Sequence, residues 1–203
     1  MEKDSRIKLI EAAIPLFAEK GLAGVSIREL AEAAKVNSAL ISYHFGGKDG
    51  LYLGALEELF SPANTLVEAF ETLEATPPER IQYYAKAVLS VHKKSPYLMR
   101  FLHSELTNST FALKIIAEKY ISRFFKFIHQ AFVDGVKEGY FNADLDPTYA
   151  AISLAGIMNF YFIMGPIPKA FLAKNIDHNE HDEKYVMQAV NIYLNGVRRI
   201  NYE

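Results

Sequence analysis

Residues 26–51, SIRELAEAAKVNSALISYHFGGKDGL, constrain the fold most, because they have the pattern of two short helices joined by a tight turn. Ser26 and Glu29 form an S-x-x-E capping box, in which the hydroxyl accepts from a backbone N–H and the glutamate reaches back. Apolar residues then recur at helical spacing, so this first helix has one buried side. The pattern stops before Asn37, and either Asn37 or Ser38 can cap the next helix.

The second helix of this stretch has an apolar side and a side of small or hydrogen-bonding residues. Its expected buried residues are Leu40, Ile41 and Phe45. Its expected outward residues are Ala39, Ser42, Tyr43 and His44. Two short helices with a turn of three or four residues, the second carrying such side chains, indicate a DNA-binding helix-turn-helix. An ordinary solvated helix face is the alternative for the outward residues.

The same region resembles the N-terminal domain of the tetracycline-repressor (TetR) family of bacterial transcription regulators. The matching segments are LFAEKGLAGVSI, IRELAEAAKVN and YHFGGKDGLY, and the similarity covers residues 5–55. The resemblance implies an all-α chain in two parts. A three-helix helix-turn-helix domain for DNA binding would occupy residues 1–47, and a larger helical domain for effector binding and dimerisation would occupy residues 48–203.

Nine residues are expected to contact DNA: Ser26, Arg28, Asn37, Ser38, Ala39, Ser42, Tyr43, His44 and Lys48. In a major groove, Tyr43 and His44 would touch phosphate or a thymine methyl, with Ser38 and Ala39 close to base edges. The resemblance implies that Lys48 contacts a phosphate, and a loosely solvated lysine is the alternative. Ser42 stands where many family members carry a tyrosine that contacts phosphate, so one backbone anchor is expected to be missing.

Charge does not by itself indicate nucleic-acid binding. The net charge is −2, and residues 1–50 contain seven Lys and Arg against seven Asp and Glu. DNA binding must therefore depend on the placement of Arg28, Lys48 and helix N-termini at phosphates. The chain has no cysteine, which excludes disulfides and thiolate metal sites, and its N-terminus carries charges of both signs where a signal peptide would be basic and then apolar. A cytoplasmic location is expected.

Apolar periodicity predicts helices throughout the rest of the chain and no strand. The expected elements are a first helix over residues 5–20 that kinks at Pro15, a connecting helix from Lys48 that breaks at Ser61-Pro62, helices after Pro77 and near Ser95, and a long helix ending near Glu138. The last helix has its apolar stripe at Val186, Ala189, Val190, Tyr193, Val197 and Ile200.

A helix starting at Asp146-Pro147 includes residues 150–167, which carry no charge. Eighteen residues reach the lower limit for a membrane span, but burial by the domain core and a partner subunit explains the polar and glycine interruptions better. The TetR resemblance implies that the last two helices pair with their copies in a four-helix bundle. The surplus apolar surface is consistent with such a homodimer, which would read a palindrome. A core helix in a monomer is the alternative.

The resemblance also implies a small, often apolar effector bound among the helices of the second domain. The candidate contacts are Met99, His103, Leu106, Tyr120, Phe124, Phe127, Asn159 and Phe160. His103 and Asn159 are the expected polar anchors, because each lies in an otherwise apolar stretch. Plain core packing is the alternative for every one of them.

No enzyme motif is present. There is no cysteine nucleophile, G-x-S-x-G elbow, phosphate-binding glycine loop or dinucleotide fingerprint. His178 and His181 fall in an expected polar loop over residues 174–182 whose spacing matches no metal-ligand motif, so neither a metal nor a cofactor is expected. The resemblance thus implies a repressor that binds a palindromic operator as a homodimer and is released by an effector. A sensor or carrier with a vestigial DNA-binding part and a helical enzyme are the alternatives.

Overall fold

A computed structural model of the chain describes residues 2–71, 73–108, 110–165, 167 and 178–198. Within these ranges every regular element is helical, and β pairing is confined to one isolated bridge between Phe141 and Arg198. The all-α prediction is therefore confirmed. The elements are α1 (Glu2–Lys20), α2 (Ile27–Ala34), α3 (Ala39–Phe45), α4 (Lys48–Glu71), α5 (Pro77–Lys94), α6 (Leu98–Thr107), α7 (Phe111–Ile115), a π-helical turn (Ile116–Ile121), α8 (Ser122–Lys137), α9 (Pro147–Met164) and α10 (His178–Val197).

Side-chain and backbone caps define the helix-turn-helix. Ser26 Oγ accepts from the backbone N–H of Glu29 at 3.1 Å, so half of the predicted capping box is confirmed. The Glu29 carboxylate pairs with Lys20, and its pKa is lowered by that ammonium and also by the backbone N–H of Ser26, as the reciprocal half of the box predicts. Asn37 Oδ1 accepts from the N–H of Ala39 at 2.8 Å, whereas Ser38 makes no side-chain cap. The turn between α2 and α3 therefore has the length that the sequence predicted.

Two predictions about helix ends and breaks are wrong. α1 begins at Glu2, not at residue 5, and Ile7 lies exposed while Leu9 and Ala13 are buried. α4 continues through Pro62 where a break was expected. A proline removes only one helical hydrogen bond, and buried side chains on both sides of Pro62 keep the helix in register. Those buried neighbours are Leu59, Phe60, Ala63 and Val67.

The chain divides into two compact units, each defined by contacts among its own residues. The first unit comprises residues 1–62 and 94–118, and the second comprises residues 63–93 and 119–203. α6 belongs to the first unit because it packs against α1. The domains over residues 1–47 and 48–203 stay a prediction about function, since compactness groups the beginning of α4 with the helix-turn-helix.

The first unit is centred on Tyr52 of α4. Its ring stacks on Phe101 with centroids 4.7 Å apart and meets Phe17 edge-on at 4.8 Å. Its hydroxyl donates to the carboxylate of Glu105, which is 1% exposed and also accepts from Thr110 Oγ1 at 2.8 Å. This buried carboxylate ties α4, α6 and the start of α7 together. Tyr52 and Glu105 are 53 positions apart in the chain, so no local pattern indicates their contact.

The π-helical turn shifts the buried face of the long helix that begins at Phe111. Helical spacing from Leu113 would bury Ala117 and Ile121, but both are exposed, while Ile116 and Tyr120 are buried. A π turn inserts one extra residue, so a face extrapolated at 3.6 residues per turn is displaced beyond it.

The ends of α9 and α10 follow electrostatic rules. Asp146 Oδ1 accepts from the N–H groups of Thr148 and Tyr149 at 2.8 and 3.1 Å, which confirms the predicted cap. α10 begins at His178, so the loop expected over residues 174–182 is wrong for its second half, and residues 174–177 lie outside the described residues. Acidic residues favour a helix N-terminus, and Glu180 also pairs with Lys184 at 2.5 Å.

The buried stripe of α10 is confirmed at Val186, Val190 and Val197, whereas Ile200 lies outside the described residues. α9 is the single helix of the described ranges that is long and apolar enough to cross a membrane. One such helix is weak evidence for a span, because core helices of globular proteins pass the same test. Its buried residues pack against α8 and α10 in the second unit.

Candidate nucleic-acid interface and effector site

The outward side of α3 is largely open to solvent. Ala39 and Ser42 are exposed, and the Tyr43 side chain is 68% exposed. On the other side Ile41 is fully buried, and Leu40 and Phe45 are half-buried, as predicted. α3 thus presents a face of small and hydrogen-bonding side chains, without an arginine or lysine, that could enter a groove.

His44 does not point freely outward as predicted. It is half-buried, and its Nε2 lies 2.8 Å from the hydroxyl of Ser5. The difference arises because α1 packs against α3 and brings Ser5 alongside the end of α3. His44 therefore fixes α3 against α1, and any DNA contact must come from the part of its ring that remains accessible.

Lys48 is not a loosely solvated lysine. Its ammonium donates to the backbone carbonyls of Leu22 and Val25 at 2.8 and 3.0 Å. Those carbonyls belong to the segment that leads into the Ser26 cap of α2. Because an ammonium has three donors, Lys48 can hold this segment with two and offer the third to a phosphate.

Arg28 is the most exposed of the expected cationic contacts. Its Nε pairs with Glu32 Oε1 at 2.9 Å on the surface of α2, and the arginine side chain is 88% exposed. Exposed ion pairs are worth little in free energy, so a phosphate could replace the carboxylate. Asn37 and Ser38, between α2 and α3, are exposed as well.

The expected effector contacts fall into both compact units. Met99, His103 and Leu106 are in the first unit, and the other five are in the second. Within the first unit Met99 is buried, but His103 is exposed and Leu106 is 59% exposed. His103 stays a prediction as a polar anchor, but its side chain is not buried, and the inward side of α6 carries Glu105 instead.

Asn159 is half-buried, and its side chain contacts His92, a residue that the sequence pattern did not indicate. His92 Nε2 lies 3.2 Å from Asn159 Oδ1, and Asn159 Nδ2 donates to the carbonyl of Ala155 at 2.9 Å. Buried Tyr84 lies close enough to Asn159 for the amide to oppose the rise in the tyrosine's pKa that burial causes. The His92 ring stacks on Phe162 with centroids 3.9 Å apart. Tyr84, His92, Asn159 and Phe162 are called the Asn159 cluster below.

Predicted aromatic contacts adjoin this cluster within the second unit. Phe124 lies 6.2 Å from the Tyr84 ring and 5.7 Å from Phe70, and Phe127 stacks on Phe70 at 4.0 Å. The other two candidates differ from them: Tyr120 is buried, whereas Phe160 is 60% exposed and cannot line the interior of a single chain. The structure therefore brings Asn159, Phe124 and Phe127 to one region.

Burial controls the protonation of His92. Loss of hydration lowers the pKa of His92 to about 4, although Asn159 and the charge of Asp182 act in the opposite direction. The imidazole is therefore neutral at pH 7. In the unfolded chain His92 would bind this proton with a pKa of about 6.5. The contribution of neutral His92 to folding stability is therefore fully present above about pH 6.5 and is lost as the pH falls towards 4.

We expect His92→Gln to remove this acid-sensitive contribution. Glutamine can still donate to Asn159 but does not titrate. From pH 7 to pH 4 the wild type should lose no more than about 3 kcal/mol of unfolding free energy relative to the variant. Urea denaturation of both proteins at several pH values measures this difference. The contributions of the other titrating groups are nearly the same in both proteins and therefore largely cancel. A difference independent of pH would contradict the low pKa of His92.

Comparisons with known proteins agree with the helix-turn-helix geometry. The family model described as "Bacterial regulatory proteins, tetR family" matches residues 9–55. The "Probable HTH-type transcriptional regulator YttP" of Bacillus subtilis is 31% identical over 136 residues, which are 66% of this chain and 65% of that protein, a little under two thirds of its length. The "HTH-type transcriptional repressor NicS" of Pseudomonas putida is 22% identical over 197 residues, or 96% and 93% of the two chains.

Solved structures share the whole fold. The ketosteroid transcriptional regulator KstR2 of Mycobacterium tuberculosis superposes with a TM-score of 0.77 at 20% identity, covering 96% of this chain and 95% of that one. HlyIIR, a hemolysin II transcriptional regulator, gives a TM-score of 0.70 at 22% identity, covering 98% and 100%. At such identities the likeness shows the fold alone.

Proposed function

We propose that this chain belongs to the tetR family of bacterial transcriptional regulators and that it is a ligand-responsive repressor that binds a palindromic operator as a homodimer. The observation that carries the DNA part is the open face of α3, with Tyr43 at its centre. Its relatives are regulators and not enzymes, and a DNA target in a bacterium implies a cytoplasmic location.

α3 would lie in the major groove and α2 across the backbone. With no arginine or lysine on α3, sequence preference would come from Ser38, Ala39, Ser42 and Tyr43 through short-range contacts, and from the shape of the DNA. Arg28, released from Glu32, and Lys48 would neutralise phosphates. Few such contacts mean modest affinity for one half-site and a shallow dependence on salt.

Selection of bound sequences from random duplex DNA tests the repressor proposal directly. We expect an enriched palindrome whose half-sites lie about one helical turn, or a multiple of it, apart. No salt-sensitive, site-specific complex with any sequence would contradict DNA binding. It would favour a sensor or carrier whose helix-turn-helix is vestigial.

Tyr43→Ala should weaken operator binding by about tenfold or more, because a lost contact to DNA typically removes 1–3 kcal/mol. The unfolding free energy should change by less than about 0.5 kcal/mol, since the ring is largely exposed. Fluorescence anisotropy on the selected operator and urea denaturation measure the two quantities. Tyr83→Ala, at an exposed tyrosine of α5, is the matched control. A large loss of stability would show instead that Tyr43 is core.

The dimer proposal rests on an apolar surface that one chain leaves open. We define the α9–α10 face as Tyr149, Ile152, Gly156, Ile157, Phe160, Ile163, Ile167, Ile192 and Gly196. Its seven large side chains are all exposed, and both glycines have open space around them. Apolar patches of this kind mark association surfaces, and glycines let a second backbone approach closely.

A second copy is the occupant that this face fits best. α9 and α10 are held together by hydrogen bonds from Tyr185 to the carbonyl of Ile157 at 3.1 Å and from Tyr193 to that of Ala150 at 2.7 Å. The two helices therefore present one joint surface, and a two-fold axis through it would make a four-helix bundle. The same axis would relate two α3 helices as a palindrome requires.

The effector is proposed to bind in the second unit around the Asn159 cluster. Its aromatic surroundings favour a small, largely apolar molecule with few polar groups. An effector that releases DNA must bind the DNA-incompetent conformation more tightly, and operator DNA must then weaken effector binding by the same factor. Titrations in both directions would check that reciprocity.

A further inference from the structure

The Asn159 cluster has one hydrogen-bonding position that none of the described residues fills. Asn159 Nδ2 faces the Ala155 carbonyl, which can only accept, so the amide orientation is fixed and Oδ1 faces His92. Because Oδ1 can only accept, His92 Nε2 must carry the ring proton. In a neutral imidazole Nδ1 then holds a lone pair, and no described residue donates to it.

The opposite tautomer is disfavoured by the same contacts. It would set the Nε2 lone pair against Asn159 Oδ1 at 3.2 Å. Reversing the Asn159 amide to relieve this clash would place Oδ1 against the carbonyl of Ala155. The cluster therefore presents an acceptor to any ligand that approaches Nδ1.

The charges around the cluster do not suit an anion. The neutral His92 ring lies against Phe162, and Asp182 is close enough to act on it electrostatically with a negative charge. Lys93, the next residue of α5, is 3.7 Å from Glu183, so its charge is partly compensated. A carboxylate would meet a neutral ring, an acid and aromatic surfaces.

We infer that the Asn159 cluster takes an uncharged apolar ligand that donates a hydrogen bond, from an alcohol, phenol or N–H group, to His92 Nδ1. The inference rests on the effector response proposed above and specifies its chemistry. A ligand with only acceptors, such as an ether or ketone, leaves Nδ1 unpaired. A carboxylate adds an uncompensated charge.

The free protein gives a first test that needs no ligand. ¹⁵N NMR of histidine-labelled protein distinguishes a protonated ring nitrogen from one with a lone pair. We expect His92, assigned from the spectrum of His92→Phe, to carry its proton on Nε2 at pH 7. A proton on Nδ1, or a doubly protonated ring, would overturn the inference.

Phenol, anisole and benzoate are matched small probes for the second test. They share one ring but offer a donor, an acceptor only, and an anion. We expect phenol to shift the His92 Nδ1 resonance saturably and to bind about tenfold or more tightly than anisole or benzoate. No phenol-induced shift, or equal binding of the three, would overturn the inference.

Two variants separate the hydrogen bond from packing. His92→Phe keeps a ring against Phe162 and should lose the preference for phenol over anisole. His92→Gln can still donate to Asn159 and present its own oxygen to a ligand, so it should retain part of that preference. If His92→Phe fails to fold, Asn159→Leu is used in its place. Because Asn159 sets the tautomer of His92, this variant should also lose the preference for phenol over anisole. Operator binding of the unliganded protein is measured in parallel: if DNA binds and phenol does not, only the ligand inference fails.

Discussion

Glu105→Ala is expected to lower the free energy of unfolding by about 3–5 kcal/mol, one of the two largest effects predicted for this protein. The carboxylate is almost completely buried and accepts from the hydroxyl of Tyr52 and from both the hydroxyl and the N–H of Thr110, the last two at 2.8 and 3.3 Å. Burial and the neighbouring carboxylate raise the pKa of Tyr52, so its phenol stays protonated and donates. Alanine would leave these donors unpaired and a cavity beside them.

Urea denaturation followed by far-ultraviolet circular dichroism measures this loss. Glu58→Ala is the matched control, because Glu58 is an exposed glutamate in α4 and its removal should change stability by less than about 0.5 kcal/mol. Tyr52→Phe removes one donor and should cost about 1.5–3 kcal/mol, and its effect should be non-additive with that of Glu105→Gln. If the unfolding free energy of Glu105→Ala is within about 1 kcal/mol of the wild-type value, the buried network does not stabilise the first unit.

Short-range signals predicted most of the helix boundaries correctly. Ser26, Asn37 and Asp146 cap the helices that follow them. Gly21 ends α1 with a φ of 67°, a conformation that suits glycine. Such caps depend on residues within four positions of each other, so the sequence contains all of the information that they need.

Features that depend on distant packing were not predictable in this way. Pro62 reads as a helix breaker until the burial of its neighbours in α4 is known. The π turn shifts the buried face of the long helix by one residue from the position that a period of about 3.6 residues predicts. Glu105 looks like one more surface glutamate, because its partner Tyr52 is 53 positions earlier in the chain.

The candidate sites show the same division. The outward side of α3 follows from helical spacing, but the hydrogen bond of His44 to Ser5 joins residues 39 positions apart. Asn159 was predicted as an anchor because it is polar within an apolar run. His92 precedes two lysines and so resembles the polar end of a helix. Only the fold brings it to its partner Asn159, which is 67 positions later in the chain.

Ile152→Glu is expected to convert the proposed homodimer into a monomer and to reduce operator affinity by about 100-fold or more. Ile152 lies on the α9–α10 face and is 54% exposed in the single chain, so a glutamate is tolerated there without a partner. In a two-fold interface every substitution occurs twice, and two carboxylates would lose their hydration without a counter-charge. A penalty of several kcal/mol raises the dimer dissociation constant by a factor of about a thousand.

The loss of DNA binding follows from the neutral helix-turn-helix. With seven acidic and seven basic residues in residues 1–50, one copy gains little from phosphate attraction, so tight binding requires two copies joined in register. Sedimentation equilibrium measures the assembly and anisotropy measures operator affinity. Leu106→Glu adds the same charge at an exposed apolar site of α6 and should leave the dimer intact. A stable Ile152→Glu dimer with unchanged affinity would place the interface on another surface, whereas a monomer that still binds tightly would show that one helix-turn-helix suffices.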